Sequence, residues 1–214
     1  MGGKVVTADR TVTSAPSDWR SYSDLPLSPL LVAALEDFHE HGYHGSTVRS
    51  IATRAGQTVP SLYYHHNNKE GVLHDLLDRA TEDINARIRL CLAEAGDNTL
   101  ARFENVITAV ALHYTHRREF AKLHDEFRYL SPSRRAQYVE KRDFTQDELE
   151  EILIKGTVVG LFDVADAHFT SRALLGLLGG ILDWYSKDGP LSASEIARRY
   201  RQCALRLVMA VPPM

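Results

Sequence analysis

Two short helical patterns joined by one tight glycine turn, within residues 46–66, constrain the fold of this chain more than any other feature. The segment reads Ser46-Thr-Val-Arg-Ser-Ile-Ala-Thr-Arg-Ala-Gly-Gln-Thr-Val-Pro-Ser-Leu-Tyr-Tyr-His-His66. Thr47 is placed to cap a first helix containing Val48, Ile51, Ala52 and Ala55, because its hydroxyl satisfies a backbone N–H that the helix leaves unpaired. Gly56 stops that helix, since glycine accepts the left-handed turn that follows a helix end. Thr58 caps the second, with Pro60 in its first turn, where a missing N–H costs little. Ile51, Ala52 and Leu62 form a small core with Leu35 and Phe38 of the preceding helix, and the small Ala52 and Ala55 let the two helices approach. This is the arithmetic of a helix-turn-helix, whose second helix enters the DNA major groove by its N-terminal end.

The outward residues of the second helix suit that task. Thr58, Ser61 and His65 donate and accept hydrogen bonds, while Val59 and Pro60 offer apolar contact to thymine methyls. Tyr63 and Tyr64 carry hydroxyls that suit phosphate oxygens. Lys69, opening the next helix, is expected to reach the DNA backbone, and Thr47 with Arg49 to clamp the opposite strand. Arg49, Arg54 and Lys69 are the only full positive charges between residues 28 and 69. The sequence therefore predicts weak non-specific binding and reliance on dimerisation.

The surrounding chain agrees in class. Residues 1–27 are rich in Ser, Thr, Asp and Pro without a sustained period and read as a flexible arm. Lys4, Arg10 and Arg20 there are offset by Asp9, Asp18 and Asp24. From Pro29 onward the pattern is helical: Leu31, Ala34, Leu35 and Phe38 recur at helical spacing until Gly42. A long helix is predicted over about 69–95, and others over about 99–115, 117–130, 133–161, 170–187 and 192–210. The fold class is all-α, with about nine helices, a DNA-binding domain over 28–74 and a larger domain over 75–214. Apolar residues at 44% and charged residues at 25% are ordinary for a globular protein, and a net charge of -3 does not announce a nucleic-acid binder. Cys91 and Cys203 read as buried, reduced thiols, which fits a cytoplasmic setting. No stretch approaches the roughly 20 apolar residues of a membrane span.

Residues 30–73 resemble the DNA-binding domain of tetracycline-repressor-type (TetR-family) regulators. The pattern stands as Ala34, Phe38, Gly42-Tyr43, Thr47-Val48, Ile51-Ala52, Ala55-Gly56, Leu62-Tyr63-Tyr64-His65 and Lys69-Glu70, without a gap. His66 departs from it, in a slot the family fills with Phe or another apolar residue, and so does Gly71, where a charged helix former is usual. The resemblance implies a C-terminal domain that binds a small effector and forms a homodimer. Lys141-Arg142-Asp143-Phe144, Gly156–Phe162, Asp166, Trp184-Tyr185 and Gly189–Ala197 look similar to regulators of fatty-acid or sterol breakdown, some of which sense acyl-CoA thioesters. The expected partners are thus double-stranded operator DNA, a small effector of acyl-CoA type and a second copy of the chain. No cofactor is expected.

Within that frame, Leu174, Leu175, Leu178, Ile181 and Leu182 on one helix, with Ile196, Tyr200 and Leu207 on the last, are expected to form a four-helix dimer interface. Phe103, Val106, Ile107, Val110, Tyr114, Phe120, Leu123, Phe127 and Trp184 are expected to line an apolar effector pocket between helices. His113 and His116, three apart with Glu119 beyond, lack the partner pair that a helical metal site needs, so no metal is expected. No nucleophile elbow, phosphate loop or zinc-protease motif points to an enzyme. The rival reading is a helical adaptor that has lost DNA binding, and the retained polar face of Thr58, Ser61, Tyr64 and His65 disfavours it.

Overall fold

The computed structural model describes residues 16–209, and these form ten α-helices and one 3-10 segment. Helix α1, Pro29–Gly45, starts at Ser28, whose hydroxyl accepts from the Leu31 N–H. Its regular part ends at Gly42, which sits at φ 68°, and one further turn carries the chain to Gly45. Helices α2, Val48–Arg54, and α3, Val59–His66, follow, separated by Gly56 at φ 62°. Helix α4, Lys69–Ala95, opens at Asn68, whose side chain accepts from the Gly71 N–H at 2.7 Å. Helix α5 spans Thr99–His116 and helix α7 Pro132–Val158.

Between α5 and α7 the chain departs from the single helix expected over 117–130. It forms a five-residue α6, Arg118–Lys122, and then a 3-10 segment, Leu123–Tyr129. With three residues per turn, side chains three apart fall in line. His124 and Phe127 meet the Tyr138 ring of α7 in this way, at centroid distances of 5.8 and 5.6 Å. The helix expected over 170–187 is likewise split, into α8, Ala167–Gly179, and a short α9, Ile181–Trp184. Helix α10, Ala193–Val208, closes the described chain.

Two hydrophobic cores share α4. Leu31, Ala34, Phe38, Ile51 and Leu62 pack with Val72, Leu73, Leu76 and Leu77 of its first half. Ile88, Cys91 and Leu92 of its second half pack with α5, α7, α8 and α10. The boundary expected after residue 74 therefore falls inside a continuous helix, and each half of α4 belongs to a different core.

The predicted arm behaves otherwise than its composition suggests over residues 16–27. Trp19 is buried in the second core, and its indole N–H donates to Glu94 at 2.9 Å. Arg20 pairs with the same carboxylate at 2.6 Å. The segment is an extended strap over α4 and α5, held by long-range contacts that leave no period in the sequence. Lys4 and Arg10 lie outside the described residues.

Candidate DNA-binding face and effector cavity

The helix-turn-helix is assembled by capping and by one buried carboxylate. Thr47 and Ser50 form a reciprocal capping box, the Thr47 hydroxyl accepting from the Ser50 N–H and the Ser50 hydroxyl from the Thr47 N–H, both at 2.9 Å. Asp37 of α1 is buried and accepts from the Ser50 hydroxyl at 2.8 Å. It thereby fixes α2 on α1, a role that no sequence pattern signalled. Arg54 turns back to the acidic cluster of Glu36, Asp37 and Glu40 on α1.

The outer face of α3 is as expected in composition. Tyr63 and Tyr64 are 50% and 68% exposed, Thr58, Pro60 and His65 are exposed, and Val59 and Ser61 are half-buried. Thr47 and Arg49 are exposed beside them. Lys69 differs. Its ammonium donates to the carbonyls of Tyr43 at 2.6 Å and Ser46 at 2.8 Å and lies 4.2 Å from the Tyr43 ring centroid. It closes the C-terminal end of α1 rather than pointing outward. Among the described residues Arg49 alone of the three predicted cations enters no ion pair or intrachain cap.

His66 and Gly71, the two departures from the family pattern, explain each other's surroundings. A Cβ on Gly71 would stand 1.9 Å from the His66 carbonyl oxygen, so only glycine lets the end of α3 lie this close to α4. His66 then meets Asp75 at 3.7 Å, and Asp75 is held by Arg79 at 2.8 Å. A polar pair fills the usually apolar slot.

The C-terminal half encloses a cavity of about 220 Å³ between α4, α5, the 3-10 segment, α7 and α8. Its wall includes Ile84, Val110, Tyr114 and Leu175, and also His113, His124, Arg142, Asp143, Thr145 and Gln146. Of the residues expected to line a pocket, only Val110 and Tyr114 do. Phe103, Val106 and Ile107 are fully buried in the second core. Phe120, Leu123 and Phe127 pack in the first core, beneath the DNA-binding helices. Trp184 is exposed and stacks on Tyr200. Trp184 apart, helical spacing marked them as inward-facing without saying which interior they faced. The cavity wall is correspondingly more polar than predicted. Burial pushes the His124 imidazole down to about 3 and the Tyr138 hydroxyl beside it up, leaving both neutral.

The expected dimer residues divide in the same way. Leu174, Leu178, Ile181 and Ile196 are buried inside the chain, Leu175 joins the cavity wall, and Leu182 and Tyr200 are half-buried. Leu207 is exposed, together with Phe169 and Leu177 of α8 and Trp184 of α9. At the end of α7, Val158 and Val159 are 81% and 71% exposed. Cys203 also lies on the exposed side of α10, contrary to its expected burial. Among the described residues no cluster of three or more His, Cys, Asp or Glu side chains is arranged to hold a metal, and no helix is long and apolar enough to cross a membrane.

An all-α chain with an N-terminal helix-turn-helix fused through one long helix to a cavity-bearing helical domain has the architecture of a DNA-binding regulator. Comparison with known proteins gives the family. Residues 30–76 match the model of bacterial regulatory proteins of the tetR family, and residues 96–208 match the tetracyclin repressor-like C-terminal domain. The chain belongs to the TetR family of transcriptional regulators and is not an enzyme. It is 29% identical over 175 residues to the HTH-type transcriptional repressor KstR2 of Mycobacterium tuberculosis strain H37Rv, covering 80% of this chain and 86% of that one. The structure of ketosteroid transcriptional regulator KstR2 of M. tuberculosis superposes with TM-score 0.77 at 26% identity, over 85% of this chain and 94% of that one. AibR, in complex with isovaleryl coenzyme A and operator DNA, shares the fold at TM-score 0.70 and 23% identity, over 81% and 95%.

Proposed function

We propose that this chain is a ligand-responsive repressor that binds a palindromic operator as a homodimer and leaves it when an acyl-CoA-like effector occupies the cavity. One observation carries the reading. The cavity wall includes Thr81 and Ile84, midway along the helix that begins at Lys69, three residues after α3 ends. At 1.5 Å per residue, Ile84 lies about 20 Å along a rigid rod from the DNA-binding helices. A small tilt at the cavity becomes a displacement of the recognition helix. Glu70 joins the same end of α4 to the start of α7, accepting from the Ser131 N–H at 2.9 Å, so the two helices that bound the cavity move together.

The exposed apolar residues of α7, α8, α9 and α10 support the dimer. Phe169, Leu177, Trp184, Leu207, Val158 and Val159 are the kind of surface that a partner covers. A two-fold dimer sets two recognition helices about one DNA turn apart, which doubles a contact face poor in charge. The effector must bind the spread state more tightly than the DNA-bound state, or nothing shifts. The names of the similar proteins support the repressor sign and a CoA-linked effector.

The test is an electrophoretic shift on the palindrome nearest the chain's own gene, with and without a panel of acyl-CoAs. A retarded complex that one acyl-CoA dissolves is the expected result. Operator affinity unchanged by every acyl-CoA would overturn the effector reading, and no complex at all would favour the adaptor.

A further inference from the structure

His113 lies in the cavity wall and also stands beside Asp83, the carboxylate at the strap's anchorage. It is buried at 1% exposure, lines the cavity, and neither ring nitrogen has a hydrogen-bond partner among the described residues. Its Nδ1 stands 3.6 Å from Asp83 Oδ2, just beyond bonding distance. That same oxygen accepts from Arg87 Nε at 3.1 Å and faces Arg117 Nε at 3.5 Å. The two arginines hold the strap. Arg87 Nη1 donates to the carbonyls of Trp19 at 3.0 Å and Ser21 at 2.7 Å, and Arg117 Nη2 donates to the carbonyl of Ser23. Between them the Tyr22 ring lies 3.6 Å from the Arg87 guanidinium carbon and stacks on His116 at 4.4 Å. One buried carboxylate thus serves two strap-holding arginines and one unsatisfied histidine in the cavity wall.

Resting on the reading of the cavity as the effector site, we propose that His113 recognises a hydrogen-bond donor on the effector and relays its presence through Asp83 to the strap. Two arginines around one carboxylate already leave a net positive charge, and burial pushes the imidazole pKa down, so His113 is neutral. A neutral imidazole has one N–H and one bare nitrogen. With Nδ1 toward the carboxylate, the proton belongs there and Nε2 is the acceptor left without a partner. The group that satisfies it is an O–H or N–H, so the acyl chain that occupies the cavity carries a donor such as a hydroxyl rather than being a plain hydrocarbon.

Relay follows from polarisation along the chain of hydrogen bonds. A donor on Nε2 makes Nδ1–H a stronger donor. The Asp83 carboxylate closes on His113 and gives up part of its hold on Arg117 and Arg87. Each arginine is then less fixed, and the strap over residues 19–23 opens more often. Because the strap continues through Leu25 and Leu27, which pack against the first core, to the Ser28 cap of α1, its opening loosens a second link between the cavity and the DNA-binding helices.

The experiment uses the full chain with octanoyl-CoA and 3-hydroxyoctanoyl-CoA as probes. Calorimetric titration reads affinity, and limited trypsin digestion, scored by fragment mass, reads cleavage after Arg20. The hydroxylated probe should bind about tenfold more tightly, the effect of one net hydrogen bond, and should speed Arg20 cleavage severalfold, while octanoyl-CoA binds without that acceleration. In His113→Leu both differences should vanish. Tyr22→Ala, which leaves the cavity wall intact, should speed cleavage without any probe and keep the preference for the hydroxylated one. Equal affinity for the two probes, or unchanged cleavage with the hydroxylated probe bound, would overturn the proposal. Failure of both probes to bind would remove the cavity as an acyl-CoA site, and the proposal with it.

Discussion

Lys69 and Arg49 carry the same charge a few residues from the recognition helix, and the structure gives them opposite tasks. Lys69 spends its donors on the Tyr43 and Ser46 carbonyls, while Arg49 is exposed without a partner among the described residues. Arg49→Ala should therefore weaken operator binding across all sequences and lower the salt slope by about one counterion, with unfolding unchanged. Lys69→Ala should instead cost about 1 kcal/mol of stability, the scale of a hydrogen-bonded cap, seen as a lower urea midpoint. If Lys69→Ala lost affinity at full stability, its placement as a cap would be wrong. The difference was not legible in the sequence, because the carbonyls that capture Lys69 lie more than twenty positions earlier. The exposure of Thr58, Tyr63, Tyr64 and His65 was legible, since the phase of a helix with one inward Leu62 fixes which neighbours face out. The close crossing of α3 and α4 accounts for Gly71, and the nearby Asp75 gives the His66 side chain a polar partner.

At the scale of elements, periodicity located the helices and their caps but not their partners. Thr47, Thr58, Asn68, Asp166 and Ser192 all cap helices through their side chains. Capping is local chemistry and shows in sequence. Helix α8 is apolar on both sides, so its sequence does not say that Leu174 and Leu178 turn inward while Phe169 and Leu177 turn out. Only packing against α5 and α7 decides it. That assignment makes a prediction about two leucines of similar character. Leu207→Asp, on the exposed side of α10, should yield a folded monomer with lost operator affinity, measured by sedimentation and thermal unfolding. Leu178→Asp should unfold the chain, because it buries a charge without a partner. A dimer that persists in Leu207→Asp would move the interface elsewhere.

Across the whole molecule, the two cores are bridged by α4, the strap and a set of histidines that folding keeps uncharged. Burial lowers the pKa of His66, His113, His116 and His124, the last to about 3. Each is a base whose folded pKa lies below its unfolded value near 6.5. Their contribution is complete above pH 6.5 and declines as pH falls, because the unfolded chain takes up protons that the folded chain refuses. His124 alone should cost about 2 kcal/mol between pH 6.5 and pH 5, at 1.36 kcal/mol per pH unit. Asp83 acts later: burial would raise its carboxyl, but the Arg87 guanidinium that donates to it holds it below the usual carboxylate range, so its contribution is lost only as pH falls below 3.8. Chemical denaturation at pH 7.5, 6 and 5 should show stability falling well before Asp83 titrates. His124→Asn should be less stable at pH 7.5, having lost its Tyr138 partner, yet fall less steeply with acid. Parallel slopes for the variant and the parent would mean that His124 accepts a proton in place, and that the wall between the cavity and the first core is wetter than its burial indicates.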